Sequence, residues 1–187
     1  MKKLTTLFLF SIVIITMNSC KETKRIDKSE NKDTIENSIP IHEDWEVFST
    51  AEYSISYPKE WTINTSGADD VAFMISSPSD GEGDHFTQNV SLVIEKLDNN
   101  TDLDAYAVAA KEQLISVFTE SSPELEKMKQ NKQDFYKVTF AGQGAKFQQY
   151  YFVENNKAYA VGFTTGEKDF DKDIVLGKKI MNTFKLN

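Results

Sequence analysis

The chain has 187 residues, 40% of them hydrophobic and 27% charged, which suits one globular domain and leaves little room for two. Its 29 acidic and 21 basic residues give a net charge of −8; nucleic-acid binding, which needs a concentrated positive surface, is not expected, nor is attraction to anionic lipid headgroups. There is a single cysteine, Cys20, so the domain must be stable through its core rather than through internal disulfides.

Lys2 and Lys3 precede an uncharged apolar run of fourteen residues, Leu4 to Met17. A membrane-spanning helix needs about 20 residues, whereas this length suits the core of a signal peptide. The run ends in Met17-Asn18-Ser19-Cys20, which resembles the bacterial lipobox. The resemblance implies cleavage between Ser19 and Cys20 and acylation, palmitate included, of Cys20. Residues 1–19 are then a lipoprotein signal peptide. Each buried methylene is worth about 0.8 kcal/mol, so two or three acyl chains hold a protein on a bilayer without help from its folded part. Lys21-Glu22 directly after the cysteine resembles the lysine-plus-acid signal that carries some Bacteroidetes lipoproteins to the cell surface. The expected location is the bacterial envelope, at the periplasmic face of the outer membrane or the cell surface.

Residues 20–43 are rich in Lys, Glu, Asp, Asn and Ser and show no apolar period, so they read as a flexible tether with a reach of about 25 Å. Residues 44–187 read as one folded domain. Tyr53 to Tyr57 alternates with period two and is stopped by Pro58, a strand ending in a turn. Trp61-Thr62-Ile63 and Val71 to Ile75 are short strand candidates, and Asn89 to Leu97 is a stronger one with Val90, Leu92 and Ile94 on one face. Between them Ser79-Asp80-Gly81-Glu82-Gly83-Asp84-His85 superficially suggests a calcium loop. The EF-hand pattern fails there, because His85 stands where a glycine is needed and Ser91 where the closing glutamate belongs; a plain connecting loop is the better reading.

A helix is expected from Thr101, whose hydroxyl is placed to cap with Asp104 completing a capping box. Leu103, Tyr106, Ala110, Leu114 and Val117 form its apolar stripe, and Pro123 limits it. Strands follow over Phe135–Phe140, Ala145–Val153 and Lys157–Thr165, the last two joined by Asn155-Asn156, a tight-hairpin signal. In the last strand Ala158, Ala160 and Gly162 share one face and Tyr159, Val161 and Phe163 the other; the small residues predict a helix packed closely on their side. A final helix over about Glu167–Met181 carries Phe170, Ile174, Gly177 and Met181 inward. Consecutive Tyr150, Tyr151 and Phe152 cannot share one face. Helices on both sides of the sheet bury all three, while a bare ring among them marks an interface; the first reading is preferred, and Trp45 and Trp61 read as packing anchors. Together these elements give the α+β class, an antiparallel sheet flanked by helices.

The segment Tyr53-Ser-Ile-Ser-Tyr-Pro-Lys-Glu-Trp61 resembles the opening of PsbP-like domains. The Asp102-Leu-Asp-Ala-Tyr106 helix start, the 157–165 strand and the closing Met181-Asn-Thr-Phe184 are similar to that family in the same order. The resemblance covers about Val47 to Leu186. It implies a central antiparallel sheet sandwiched by helices, and a role in binding macromolecules, mostly proteins, without catalysis. Members include an extrinsic photosystem II subunit and DcrB-like lipoproteins. The histidines that hold metal in photosynthetic members have no counterpart here.

His42 and His85 are the only histidines. No nucleophile elbow, zinc pair or phosphate-cradling loop is present, so no catalytic residue, metal or cofactor is expected. The preferred function is a non-catalytic interaction or assembly-assisting module on a lipid anchor, with an envelope protein as partner. The alternative is a carrier of a small apolar ligand or lipid.

Overall fold

The computed structural model describes residues 44–79, 87–98, 100–130 and 132–187. In chain order the strands are β1 (Trp45–Ser49), β2 (Tyr53–Pro58), β3 (Thr62–Asn64), β4 (Val71–Ser76) and β5 (Asn89–Lys96). Helix α1 (Leu103–Val117) is followed by β6 (Glu124–Gln130), β7 (Gln133–Gly142), β8 (Ala145–Glu154) and β9 (Lys157–Gly166). Helix α2 (Phe170–Met181) and the short β10 (Lys185–Leu186) complete the domain. Seven strands form one antiparallel sheet in the order β3-β4-β5-β9-β8-β7-β6, and β1-β2-β10 form a second. The α+β architecture expected from the sequence is the one observed.

The large sheet separates two apolar cores. Side chains alternate across a strand, so β9 sends Tyr159, Val161 and Phe163 to one core and Ala158 and Ala160 to the other. The first core is closed by β2, through Tyr53, Ile55 and Tyr57, and by α2, through Phe170, Ile174, Ile180 and Met181. The second lies beneath α1. A helix therefore does cover the small-residue face, and it is α1. Tyr150 and Phe152 enter the first core and Tyr151 the second, so all three rings are buried at 5% exposure or less.

Helix α2 approaches closely because Gly177 faces the ring of Phe163: an added Cβ would lie 2.5 Å from that ring. The inward stripe Phe170, Ile174, Gly177 and Met181 is buried as expected. Asn155 (φ 52°) and Asn156 (φ 57°) make the two-residue turn between β8 and β9, using the tolerance of asparagine for the left-handed region.

Two local expectations are corrected. The cap of α1 is Asp102, not Thr101: its extended backbone (φ −88°, ψ 176°) precedes the first helical residue, and its Oδ1 accepts from the Ala105 N–H at 2.8 Å. The carboxylate also suits the positive end of the helix dipole. Val117 is not on the buried stripe; it stands 50% exposed at the helix end, where Phe118 takes over the contact with the sheet. That ring packs on Phe140 and Phe147 at centroid distances of 5.0 and 5.7 Å, over Gly142, where no Cβ could fit.

The opening and closing segments of the family resemblance meet in space. Phe184 stacks on Tyr53 at 5.9 Å and leans on Phe152 at 5.3 Å. Trp61 is buried in the same core and Trp45 packs against it half-buried, so both tryptophans are packing anchors.

Candidate interaction surface

Ser19, Cys20, the 20–43 tether and His42 lie outside the described residues, as does the acidic loop from Asp80 to His85. Among the described residues no group of three His, Cys, Asp or Glu side chains is placed to hold a metal ion, and no helix is long and apolar enough to cross a membrane.

The most distinctive buried polar cluster lies between α1 and the sheet. Tyr106 sits edge-on to Tyr151 at 5.6 Å, and Tyr151 Oη donates to Gln149 Oε1 at 2.7 Å. Tyr106 also hydrogen-bonds the Glu95 carboxylate. Burial pushes the Glu95 carboxyl up, and the Tyr106 hydrogen bond opposes that shift. Burial and the nearby Glu95 charge push both tyrosines upward as well. A tyrosine held protonated in this way makes a poor base. The cluster seats α1 on the sheet.

What α1 leaves outside is more informative. Val108 (53%) and Ile115 (45%) are exposed. At 100° per residue both fall within about 40° of Asp104 around the helix. Asp104 marks the flank turned toward β6: its Oδ1 takes Lys127 Nζ at 2.6 Å and the Tyr136 hydroxyl at 3.1 Å. These partners hold its carboxyl below the usual carboxylate range. Strand β6 is an edge of the large sheet. A helix flank that mixes Val108 and Ile115 with Asp104 and Lys111 therefore lies on the side of the β6 edge, and exposed apolar residues beside a strand edge suit a protein contact.

This surface is not expected from the sequence, in which α1 reads as one-sided and 124–130 carry no strand pattern. The available signal was α1 itself, LDAYAVAAKEQLISV, which is apolar around most of its circumference, unlike an ordinary surface helix.

Cavities are small. One of about 190 Å³ lies between β10 and the β6–β7 turn, lined by Gln130, Gln133, Phe152, Phe184, Lys185 and Leu186. A second, of about 130 Å³, lies beside Glu52, Lys157 and Tyr159.

The sequence profile of the PsbP family matches residues 43–186. No protein of curated function matches the chain. The fold is similar to that of cyanobacterial PsbP (CyanoP) from Synechocystis, with a TM-score of 0.56 at 14% identity, over 77% of this chain and 93% of that one. It is also similar to PA94 from Pseudomonas aeruginosa (TM-score 0.50, 12% identity, 74% and 94% of the two chains). LpqN of Mycobacterium tuberculosis, involved in cell envelope biogenesis, gives a TM-score of 0.53 at 8% identity over 72% and 83%. At such identities the structures share a fold and nothing finer. With the profile spanning the whole described domain, the chain belongs to the PsbP family.

Proposed function

We propose that this protein is a bacterial envelope lipoprotein: residues 1–19 direct export, Cys20 carries the lipid, residues 20–43 are a tether, and the PsbP domain is a non-catalytic head that binds another envelope protein. The observation that carries this reading is the pair of exposed apolar residues on α1, Val108 and Ile115, on the side of the β6 edge. A tethered head gains effective concentration for any partner on the same membrane. An envelope location is consistent with the same fold occurring in LpqN, a protein of cell envelope biogenesis.

The carrier alternative gains little support from the cavities. Ligand sites commonly enclose about 300–1,000 Å³, more than the 190 and 130 Å³ found here.

The test is crosslinking in living cells with the lipidated full-length protein, read by mass spectrometry. One reproducible envelope protein, reduced at least about tenfold by Val108→Asp/Ile115→Asp, supports the interaction head. Capture of lipid alone, or of nothing, rejects it. Replacing Cys20 by Ser should move the protein from the membrane to the soluble fraction; unchanged membrane retention would reject the lipid anchor.

A further inference from the structure

Among the described residues four strands stand at sheet edges, and they differ in how they are blunted. β3 has three residues and β10 two, too few for much pairing with another chain. β1 has five residues. β6 has seven, Glu124–Gln130, the longest open edge. It pairs with β7 along its whole length, from Glu124↔Thr139 to Gln130↔Gln133, so it is held extended and in register on one side. Its other side is the outer edge of the large sheet.

The side chains of β6 divide by charge. Leu125 packs into the core beneath α1, so Leu125, Lys127 and Lys129 share the α1 face. Met128 packs into the opposite core, so Glu124, Glu126, Met128 and Gln130 share the α2 face. One face of the edge thus carries two lysines and the other two glutamates; Lys127 pairs with Asp104, Lys129 with Asp134 and Glu126 with Lys137 within the domain, all at exposed or half-buried sites where a further charge can still be felt.

This pattern discriminates against a second copy of the chain. Two β6 strands continuing one sheet about a two-fold axis must pair residues of the same face. Centred on Lys127, the pairing sets that lysine against its own copy. Centred on Glu126, it sets glutamate against glutamate. Centred on Met128, Lys127 meets Lys129; centred on Leu125, Glu124 meets Glu126. Like charges directly opposite destabilise a strand pair, so each of these registers is penalised. A foreign strand of the inverse pattern meets the opposite situation, with attraction at four positions.

We propose that the β6 edge is the seat for an extended segment of another protein, added as an eighth strand. That segment carries acids toward the α1 face, bases toward the α2 face, and apolar residues opposite Leu125 and Met128. This rests on the interaction-head reading and names the chemistry of its partner. The edge supplies backbone hydrogen bonds, the charge rows supply register and choice of partner, and Val108 and Ile115 extend the contact beyond the strand.

The probe is a fluorescent heptapeptide, TEIEKVK. Seated antiparallel, its threonine faces Gln130, its glutamates Lys129 and Lys127, and its lysines Glu126 and Glu124. The control, TKIKEVE, keeps the composition of apolar residues and puts like charge at all four positions. Titrated into purified full-length protein in detergent, TEIEKVK should bind at least about tenfold more tightly than the control. Lys127→Glu/Lys129→Glu, with its melting temperature checked against the parent, should abolish that preference; Glu124→Lys/Glu126→Lys repeats the test from the other face. Equal binding of the two peptides, no saturable binding, or a preference surviving both variants overturns the proposal. A partner still crosslinked in cells by the β6 variants would overturn the strand seat and leave the interaction head standing, whereas no capture by the parent protein removes the head itself.

Discussion

Thr183, at the end of α2, hydrogen-bonds the backbone of Ser56 in β2 across 127 residues of chain: its hydroxyl oxygen accepts from the Ser56 N–H at 2.7 Å. The same hydroxyl lies 2.7 Å from the Ile180 carbonyl and 3.1 Å from the Ser56 carbonyl, with one proton to give. Valine keeps the shape and removes every one of these bonds. Thr183→Val should therefore cost about 2 kcal/mol in chemical denaturation, and Thr183→Ser much less. A loss for Thr183→Ser with none for Thr183→Val would show that the methyl group, not the hydroxyl, matters there.

Gly177→Ala sets two effects against each other. Alanine improves helix propensity by about 1 kcal/mol, but its Cβ would stand 2.5 Å from the Phe163 ring, and overpacking costs about 1–3 kcal/mol. The net change should be a lower melting temperature, partly restored by adding Phe163→Leu. A more stable single variant would mean that α2 shifts freely on the sheet.

Glu95 should make stability depend on pH. Its folded carboxyl is raised above the ordinary 4.5, first by burial, with the Tyr106 hydrogen bond opposing. The folded state then holds a proton that the unfolded chain has lost, so stability falls as pH rises from about 4.5 through the raised value. Glu95→Gln should melt higher than the parent at pH 8 and flatten this slope. A parallel pH profile for both proteins would reject the assignment.

Tyr151 and Val108 should behave in opposite ways. Tyr151 is 2% exposed and packed beneath α1, whereas Val108 is 53% exposed. Tyr151→Ala should destabilise by about 3–5 kcal/mol. Val108→Ser should stay within about 0.5 kcal/mol while weakening partner capture. Thermal melts read beside crosslinking yields separate the two roles.

The contrast between those two residues also shows what was legible in the sequence. Period-two runs placed β2, β4, β5 and β7–β9, and Asn155-Asn156 placed the β8–β9 turn, because these segments carry their own pattern. The same alternation required the two faces of the sheet to divide Tyr150, Tyr151 and Phe152. Strand β6 was illegible: ELEKMKQ has only two apolar residues, and its extended form is imposed by the register of β7 rather than by local preference. β1 and β10 are likewise strands because β2 pairs with them. The α1 cap was misread by one residue because Thr101 and Asp102 are both good caps and only the backbone angles decide between them. The interaction surface escaped for the same reason as β6, since an edge is a property of the assembled sheet.

The joining of residues 50–56 to residues 183–187 has a kinetic consequence. The hairpins β7–β8 and β8–β9 close over two-residue turns and can form as soon as their own segments exist. Attaching β10 to β2, by contrast, needs Asn187 to reach Thr50, 137 positions away, and a long loop is slow to close. β10 is therefore the last strand to join, while β1 and β2 close locally over residues 50–52. Amide exchange in β10 should outpace that in β8 and β9, and equal protection of the three strands would refute this order. The two-residue β10 thus acts as a late clasp, closing on a β1–β2 hairpin that is already able to form on its own.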